Sequence, residues 1–311
     1  MMAALNCPPN CPAVSGLLRA NEPMSKHTSW RVGGAAEIYF KPADLDDLSR
    51  FLRELDSDTP VFWFGLGSNL LVRDGGLKGA VIAGAGVFKE FEKVGGEDNS
   101  APGHRLVRVG ASVPCTRLAR QCIRWGYGPS EFFAGIPGTI GGALAMNAGA
   151  HGEETWDRVR SVTTIDRHGD VHERAPADFT VGYRSVKGPA MEWFISAVLE
   201  FDPAVDPSMD VLNEMLARRK NTQPLGMPSC GSVFRNPPGD HAARLIESAG
   251  LKGHRVGCAE VSTKHANFII NRGGATAAEI EQLITHVQQK VADVHGIELV
   301  HEVRIVGEAM S

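Results

Sequence analysis

Apolar residues recur along the chain with two periods, and the changes between them mark out its elements. Leu45, Leu48, Leu52 and Leu55 share one face of a helix that Pro42 opens. Around it, 36–40 and 61–64 read as strands, the first following a turn at Gly33-Gly34. Two more, 70–72 and 80–83, are separated by the turn Asp74-Gly75-Gly76. The stretch 86–110 alternates and is charged, with an exposed loop expected at 95–103. Ser112 and Pro114 then predict the start of a helix that buries Leu118, Cys122 and Trp125 and stops at Gly126. Strands are predicted at 159–166, 171–173 and 192–201, followed by a proline-bearing linker at 202–207. Beyond it, Val211, Leu212, Met215 and Leu216 form one helical stripe, and Leu245, Ile246 and Ala249 form another. The clearest helix spans 276–295: Thr276 and Glu279 make a capping box, Ile280, Leu283, Ile284, Val287, Val291 and Val294 line one face, and Gly296 ends it. A last alternating strand is expected at 297–306.

This succession of helices and strands predicts an α+β fold. Its parts are a loosely ordered leader (1–24), two α+β units (25–86 and 87–204) and a third (205–311). Hydrophobic residues at 43% and charged residues at 22% supply enough apolar mass for packed cores. A net charge of −4 without a basic block argues against nucleic acid as a partner. No apolar run reaches the roughly 18 residues of a membrane span, so no membrane insertion is expected. The first twenty residues show no secretory pattern. The six cysteines contain no Cys-x-x-Cys pair, and Cys7 and Cys11, set among prolines, lack the partners a zinc site needs. A reduced, cytoplasmic, monomeric protein without a metal is expected.

Glycine changes this picture. The chain has 35 in 311 residues, against a usual share of roughly 7%, and many fall in two loops. The first, Gly65-Leu66-Gly67-Ser68-Asn69, follows a strand, and its amides could form a nest for phosphate. It lacks the third glycine of a dinucleotide fingerprint, and a plain tight turn is an equal reading. The second runs from Glu131 to Ala150 and includes Gly135-Ile136-Pro137-Gly138-Thr139, Gly141-Gly142 and Met146-Asn147. Small residues over that length let a flat ligand and its diphosphate rest on main chain; close packing of elements is the alternative. Two such loops favour a large two-part cofactor.

Together with Tyr183-Arg184, the segment 228–237 around Ser232 and the segment 296–307 around Glu302, these loops resemble the UDP-N-acetylenolpyruvoylglucosamine reductases. The likeness runs in order from about His27 to Gly307. It implies a flavin-binding α+β fold of the vanillyl-alcohol-oxidase type in two subdomains, followed by a substrate-binding domain. It implies FAD as cofactor, held by Gly65, Gly67, Ser68, Asn69, Gly135, Ile136, Pro137, Gly138, Thr139, Gly141, Gly142, Met146 and Asn147. NADPH would be the reductant and UDP-N-acetylglucosamine enolpyruvate the substrate, reduced for peptidoglycan synthesis. Arg184, Ser232 and Glu302 map onto the family's catalytic positions, and Tyr183, Arg219, Gln223, Asn236 and His265 are candidates for substrate contact.

Each residue also has a plainer reading. Arg184 could be a surface ion pair, Ser232 a turn serine, Glu302 part of a solvated strand face with Glu298, Val300 and Arg304, and His265 a structural histidine. If Glu302 instead faces a cleft, burial favours the neutral acid that a proton transfer needs. Ser185 follows Arg184 directly, where the family commonly has a variable residue between. Little room follows for a tyrosine-bearing lid, so the chain resembles the family's shorter type. Two rivals remain: an oxidase on the same fold, for which His104 and His151 are the available flavin-tethering histidines, and a nucleotide-sugar sensor without turnover.

Overall fold

A computed structural model describes residues 12–95 and 105–310. Cys7, Cys11, His104 and most of the loop expected at 95–103 lie outside them. The architecture is α+β. Six α-helices occur among the described residues: α1 (Leu45–Glu54), α2 (Cys115–Trp125), α3 (Ile140–Met146), α4 (Met209–Thr222), α5 (Ala242–Ser248) and α6 (Ala277–His295). None is long and apolar enough to cross a membrane. A four-stranded sheet has the order Leu17–Pro23, Ala35–Lys41, Leu77–Ala83, Val61–Phe64. The strand Leu17–Pro23 corrects the expectation of a loose leader there: with few apolar side chains and no alternation, it carries little strand signal.

Chain contacts define two compact units. The first holds residues up to Arg19, Tyr39–Gly65 and Val81–Arg218, and the second holds Ala20–Ile38, Leu66–Ala80 and Arg219–Ser311. Neither is continuous in sequence.

In the first unit, a five-stranded antiparallel sheet runs Val171–Arg174, Val159–Asp166, Glu192–Phe201, Arg105–Gly110, Phe91–Val94. Leu118, Cys122, Phe133, Ile140 and Leu144 share its core with Val107, Val162 and Leu199. Ser112 does not cap α2, which begins at Cys115 after Pro114. Its hydroxyl donates to the Gly84 carbonyl and accepts from the Phe88 amide, so it pins a loop instead. Nor does Pro42 open α1: Asp44 does, accepting the Asp47 amide at 2.8 Å. Buried Asp47 in turn accepts from the amides of Ser15 (2.7 Å), Gly16 (2.9 Å) and Ala43 (3.1 Å) and from Arg50 (2.7 Å).

In the second unit α6 packs on a small sheet of Arg255–Val256, Ala259–Val261 and Ile269–Asn271. Fully buried Trp30 donates to the Ile269 carbonyl at 2.7 Å, and Asn271 donates back to the Trp30 carbonyl at 2.9 Å. The α6 start matches the sequence: Thr276 accepts the Glu279 amide and Glu279 accepts the Thr276 amide, each at 3.1 Å. Asp74 adds what sequence could not show, accepting the Ala277 and Ala278 amides at 3.0 and 2.9 Å. All three leading amides of the helix are therefore satisfied. Val294, expected on the buried face, is 48% exposed at the last turn.

The expected final strand is shorter than its alternation suggested. Only Arg304–Val306 forms one, pairing in parallel with Leu70–Val72. Upstream, the amides of both Glu302 (2.8 Å) and Val303 (3.2 Å) converge on the Val233 carbonyl. Two successive residues thus oppose one, which breaks period two.

Truncation should separate the α6 caps. Thr276→Ala is expected to cost about 1 kcal/mol, and Asp74→Ala, which strands two amides, about 2 kcal/mol, both read from urea midpoints. Burial pushes the Asp47 carboxyl up, but the amides of Ser15, Ala43 and Gly16 and the Arg50 guanidinium outweigh it and hold the group below its ordinary value. Its contribution is therefore complete above the free-carboxyl range and is lost as pH falls through the lowered value. Thermal unfolding scanned from pH 6 downward should show wild type losing stability below about pH 4 more steeply than Asp47→Asn.

Candidate functional site

The two glycine loops meet. A side-chain carbon built on Gly65 would lie 3.2 Å from the Thr139 hydroxyl, with no other close neighbour. Thr139 is buried and precedes α3, its carbonyl accepting the Ala143 amide at 2.9 Å. The glycines of this region serve different ends. Gly135 is required by packing, since a methyl there would come 2.7 Å from the Ala150 side chain. Gly141 faces Ala111 at 3.0 Å. Gly67 has φ +61 and would collide with the His27 carbonyl, so close approach of the 27–29 segment accounts for it. Gly142 is different: it is exposed, and a methyl there would meet only the Thr139 hydroxyl, 4.0 Å away. Helix propensity favours alanine at such a position. Neither a positive φ nor a close neighbour accounts for glycine at this position. Of the remaining loop residues, Ile136 is buried, Gly138 and Met146 are half-buried and Pro137 is exposed.

Asn147 ends α3 at φ +41 and is only 1% exposed. Its amide nitrogen donates to Glu154 (2.6 Å) and to the Gly182 carbonyl (3.3 Å), and its amide oxygen accepts the Trp156 amide (3.1 Å). These bonds occupy a side chain that the sequence suggested for the cofactor. Tyr183 and Arg184 form the two-residue tip of a hairpin between Thr180–Gly182 and Ser185–Lys187. Arg184 holds φ +51, a left-handed backbone that favours glycine or asparagine. Its guanidinium donates to the carbonyls of Asn147 (3.2 Å) and Gly149 (2.9 Å), stands 3.9 Å from Glu154 and lies over the exposed Tyr183 ring. With a side chain 16% exposed, it is more enclosed than a surface ion pair.

In the second unit, Ser232 precedes the Val233 carbonyl that both Glu302 and Val303 engage. Buried Asn267 fixes this segment: its carbonyl accepts the Val233 amide, its side chain accepts the Phe234 amide (3.0 Å) and donates to the Phe234 carbonyl (2.8 Å). Asn69 donates to the Glu302 carbonyl at 3.0 Å, and its own carbonyl accepts from Arg304 at 3.1 Å. Ser68, Asn69, Ser232 and Glu302 are all half-buried, whereas Glu298, Val300 and Arg304 are exposed.

Arg219, Gln223 and Asn236, suggested as substrate contacts, have partners of their own in the second unit. Arg219 donates to Gln223 at 2.9 Å, and burial lowers its pKa from the ordinary value. Asn236 accepts the Ala242 amide at 3.1 Å and so caps α5. His265 has a buried Nδ1 with no hydrogen-bond partner, and burial, helped by Lys252, lowers its pKa. Burial pushes the thiols of Cys115 and Cys230 up to about 12, so neither is a ready nucleophile. No group of three or more potential metal ligands occurs among the described residues. Sequence reasoning passed over Glu154 and Asn267, which no motif marks; only an acidic pair just after the glycine-rich stretch hinted at the first.

Comparison with known proteins identifies the family. Residues 36–174 match the FAD binding domain family, and residues 223–306 match the C-terminal domain family of UDP-N-acetylenolpyruvoylglucosamine reductase. The chain is 59% identical to the UDP-N-acetylenolpyruvoylglucosamine reductase of Alkalilimnicola ehrlichii, over 95% of this chain and 97% of that one. It is 54% identical to that of Methylococcus capsulatus, over 94% and 93%. The solved structure of the reductase from Thermus caldophilus superposes with a TM-score of 0.76 at 30% identity, covering 94% of this chain and 99% of that one. The flavin-binding α+β fold implied by the resemblance is borne out. Identity of this extent, along nearly the whole length, shows that the chain belongs to the UDP-N-acetylenolpyruvoylglucosamine reductase family.

Proposed function

We propose that this protein reduces UDP-N-acetylglucosamine enolpyruvate to UDP-N-acetylmuramate, with FAD as cofactor and NADPH as reductant, as a cytoplasmic monomer in peptidoglycan precursor synthesis. The observation that carries this reading is the open face at Gly142 together with the enclosed Arg184 guanidinium, in a chain with the family membership described above. Residues 25–86 and 87–204 carry the flavin in this reading, and 205–311 the substrate. The family matches over 36–174 and 223–306 support that division.

Gly65, Gly138, Thr139, Gly142 and the neighbouring loop residues would hold FAD, which supplies the two-electron chemistry that side chains lack. The rest falls to the chain. Reducing the alkene develops negative charge on the carbon beside the substrate carboxylate, delocalised onto that carboxylate. Arg184 grips the carboxylate and stabilises this charge; its planar fork suits two carboxylate oxygens. Ser232 delivers a proton from its hydroxyl to that carbon. A serine is a weak acid and must be recharged, and Glu302 is the group assigned to that relay. The shared Val233 carbonyl, which ties the chain beside Ser232 to Glu302, supports this pairing.

Two measurements test the reading. Bound flavin should bleach anaerobically with NADPH and recover its oxidised spectrum when UDP-N-acetylglucosamine enolpyruvate is added. Ser232→Ala should slow only the recovery, by about 10²-fold or more. Recovery as fast with oxygen as with substrate would favour the oxidase instead. Gly142→Ala should raise the stability of the flavin-stripped protein by about 0.5 kcal/mol. The same change should weaken FAD binding about tenfold by fluorescence titration; unchanged FAD affinity would remove Gly142 from the cofactor site.

A further inference from the structure

Arg184 is held in place by two main-chain carbonyls and stands beside the Glu154 carboxylate, which has no part in the reading above. Its guanidinium donates to the carbonyls of Asn147 and Gly149 at 3.2 and 2.9 Å and stands 3.9 Å from a Glu154 carboxylate oxygen. The other Glu154 oxygen accepts the Asn147 side-chain amide at 2.6 Å. That amide also reaches the Gly182 carbonyl, at the base of the hairpin whose tip is Arg184. Glu154 is thus bonded to the residue whose carbonyl holds the guanidinium, and that residue is bonded to the strand that presents it.

We propose that Glu154, acting through Asn147, is the positioning residue for Arg184: a carboxylate–amide pair that aims the guanidinium at the substrate carboxylate. The physical need is specific. An arginine side chain carries much rotamer entropy, and it sits in a two-residue hairpin tip whose other residue, Tyr183, is 47% exposed. Two carbonyl acceptors on the α3 side fix one edge of the fork, but both belong to the 147–149 segment, which leaves α3 through a left-handed residue. Without Glu154 the buried Asn147 amide nitrogen keeps only the long bond to Gly182. The link from this segment to the hairpin then weakens, even though the Asn147 oxygen still accepts from Trp156 and the Ala148 main chain stays bonded. Glu154 is itself fixed, since it begins the short helical turn Thr155–Arg158 and its amide donates to Asp157 at 3.1 Å. The carboxylate also supplies a negative charge 3.9 Å from the guanidinium, which favours its staying on this side.

This inference rests on the assignment of Arg184 to the substrate carboxylate, and the experiment keeps the two apart. With flavin-loaded protein, Glu154→Ala should slow reoxidation by UDP-N-acetylglucosamine enolpyruvate about tenfold and raise KM for that substrate, while bleaching by NADPH keeps its wild-type rate. Calorimetry should show a comparable loss of affinity for the product, UDP-N-acetylmuramate. Glu154→Gln, which still offers Asn147 an oxygen, should recover most of the loss. In an Arg184→Ala background, Glu154→Ala should change the rate less than about twofold, because its effect runs through the missing guanidinium. Asn147→Gly, which tolerates the left-handed backbone, is the second variant and should repeat the pattern if Glu154→Ala fails to fold. A full tenfold effect in the Arg184→Ala background, or none in wild type, overturns the positioning role. Arg184→Ala that reoxidises at the wild-type rate overturns instead the assignment on which it rests.

Discussion

The first unit turns on one buried side chain. The Asn147 amide bonds Glu154, Gly182 and the Trp156 main chain, and its own carbonyl takes Arg184, so the turn at 154–156 and the hairpin at 182–184 are both fixed from one point. A primary amide suits this role because it donates twice and accepts at once, whereas a carboxylate could accept only. The position also requires φ +41, which asparagine tolerates better than other non-glycine residues. Glycine would take the backbone but leave Glu154, Gly182 and Trp156 without a common partner. Few residues satisfy both demands, and everything placed around Arg184 follows from meeting them.

The second unit solves a similar problem with carbonyls and another asparagine. Asn267 ties the Val233-Phe234 main chain from one side, and the Val233 carbonyl takes two successive amides from the other. The irregularity has a purpose. A regular strand at 297–306 would place Glu302 in alternation with exposed Glu298 and Val300; the doubled pairing interrupts that alternation, and Glu302 is half-buried. Local disruption of a ladder beside a functional residue is a recurrent way of re-aiming a side chain.

Much of the fold was legible because its elements carry strong periods or stop signals. The strands Val61–Phe64, Leu70–Val72, Val159–Asp166 and Glu192–Phe201, and α6 with its capping box, lie where the apolar pattern puts them. What the sequence concealed depends on partners far along the chain. Asp74 caps α6 from about 200 residues away, Asp47 gathers three amides, and Ser112 spends its hydroxyl on a loop rather than a helix. Each is a short polar residue whose role is set by which backbone group comes near, and no period records that. The catalytic candidates became legible only through the resemblance. Taken alone, Arg184, Ser232 and Glu302 are a hairpin tip, a turn serine and a residue in a broken strand.

The glycines show how a ligand site can be told from ordinary folding demands. A glycine is explained when a methyl would clash or when φ is positive, and Gly67, Gly135 and Gly141 are explained in this way. Where neither holds and the residue lies inside a helix, the protein forgoes helix propensity with no return in its own contacts. Gly142 is such a place. It is at this position that the proposed function places the flavin. Arg184 makes the complementary case: the backbone there suits glycine, yet a bulky cation is held in it by carbonyls and a carboxylate. One position gives up a side chain that the fold would welcome and the other keeps one that the backbone disfavours. Strain and sacrifice of this kind, close together in one unit, are what a site for a large cofactor and an anionic substrate requires.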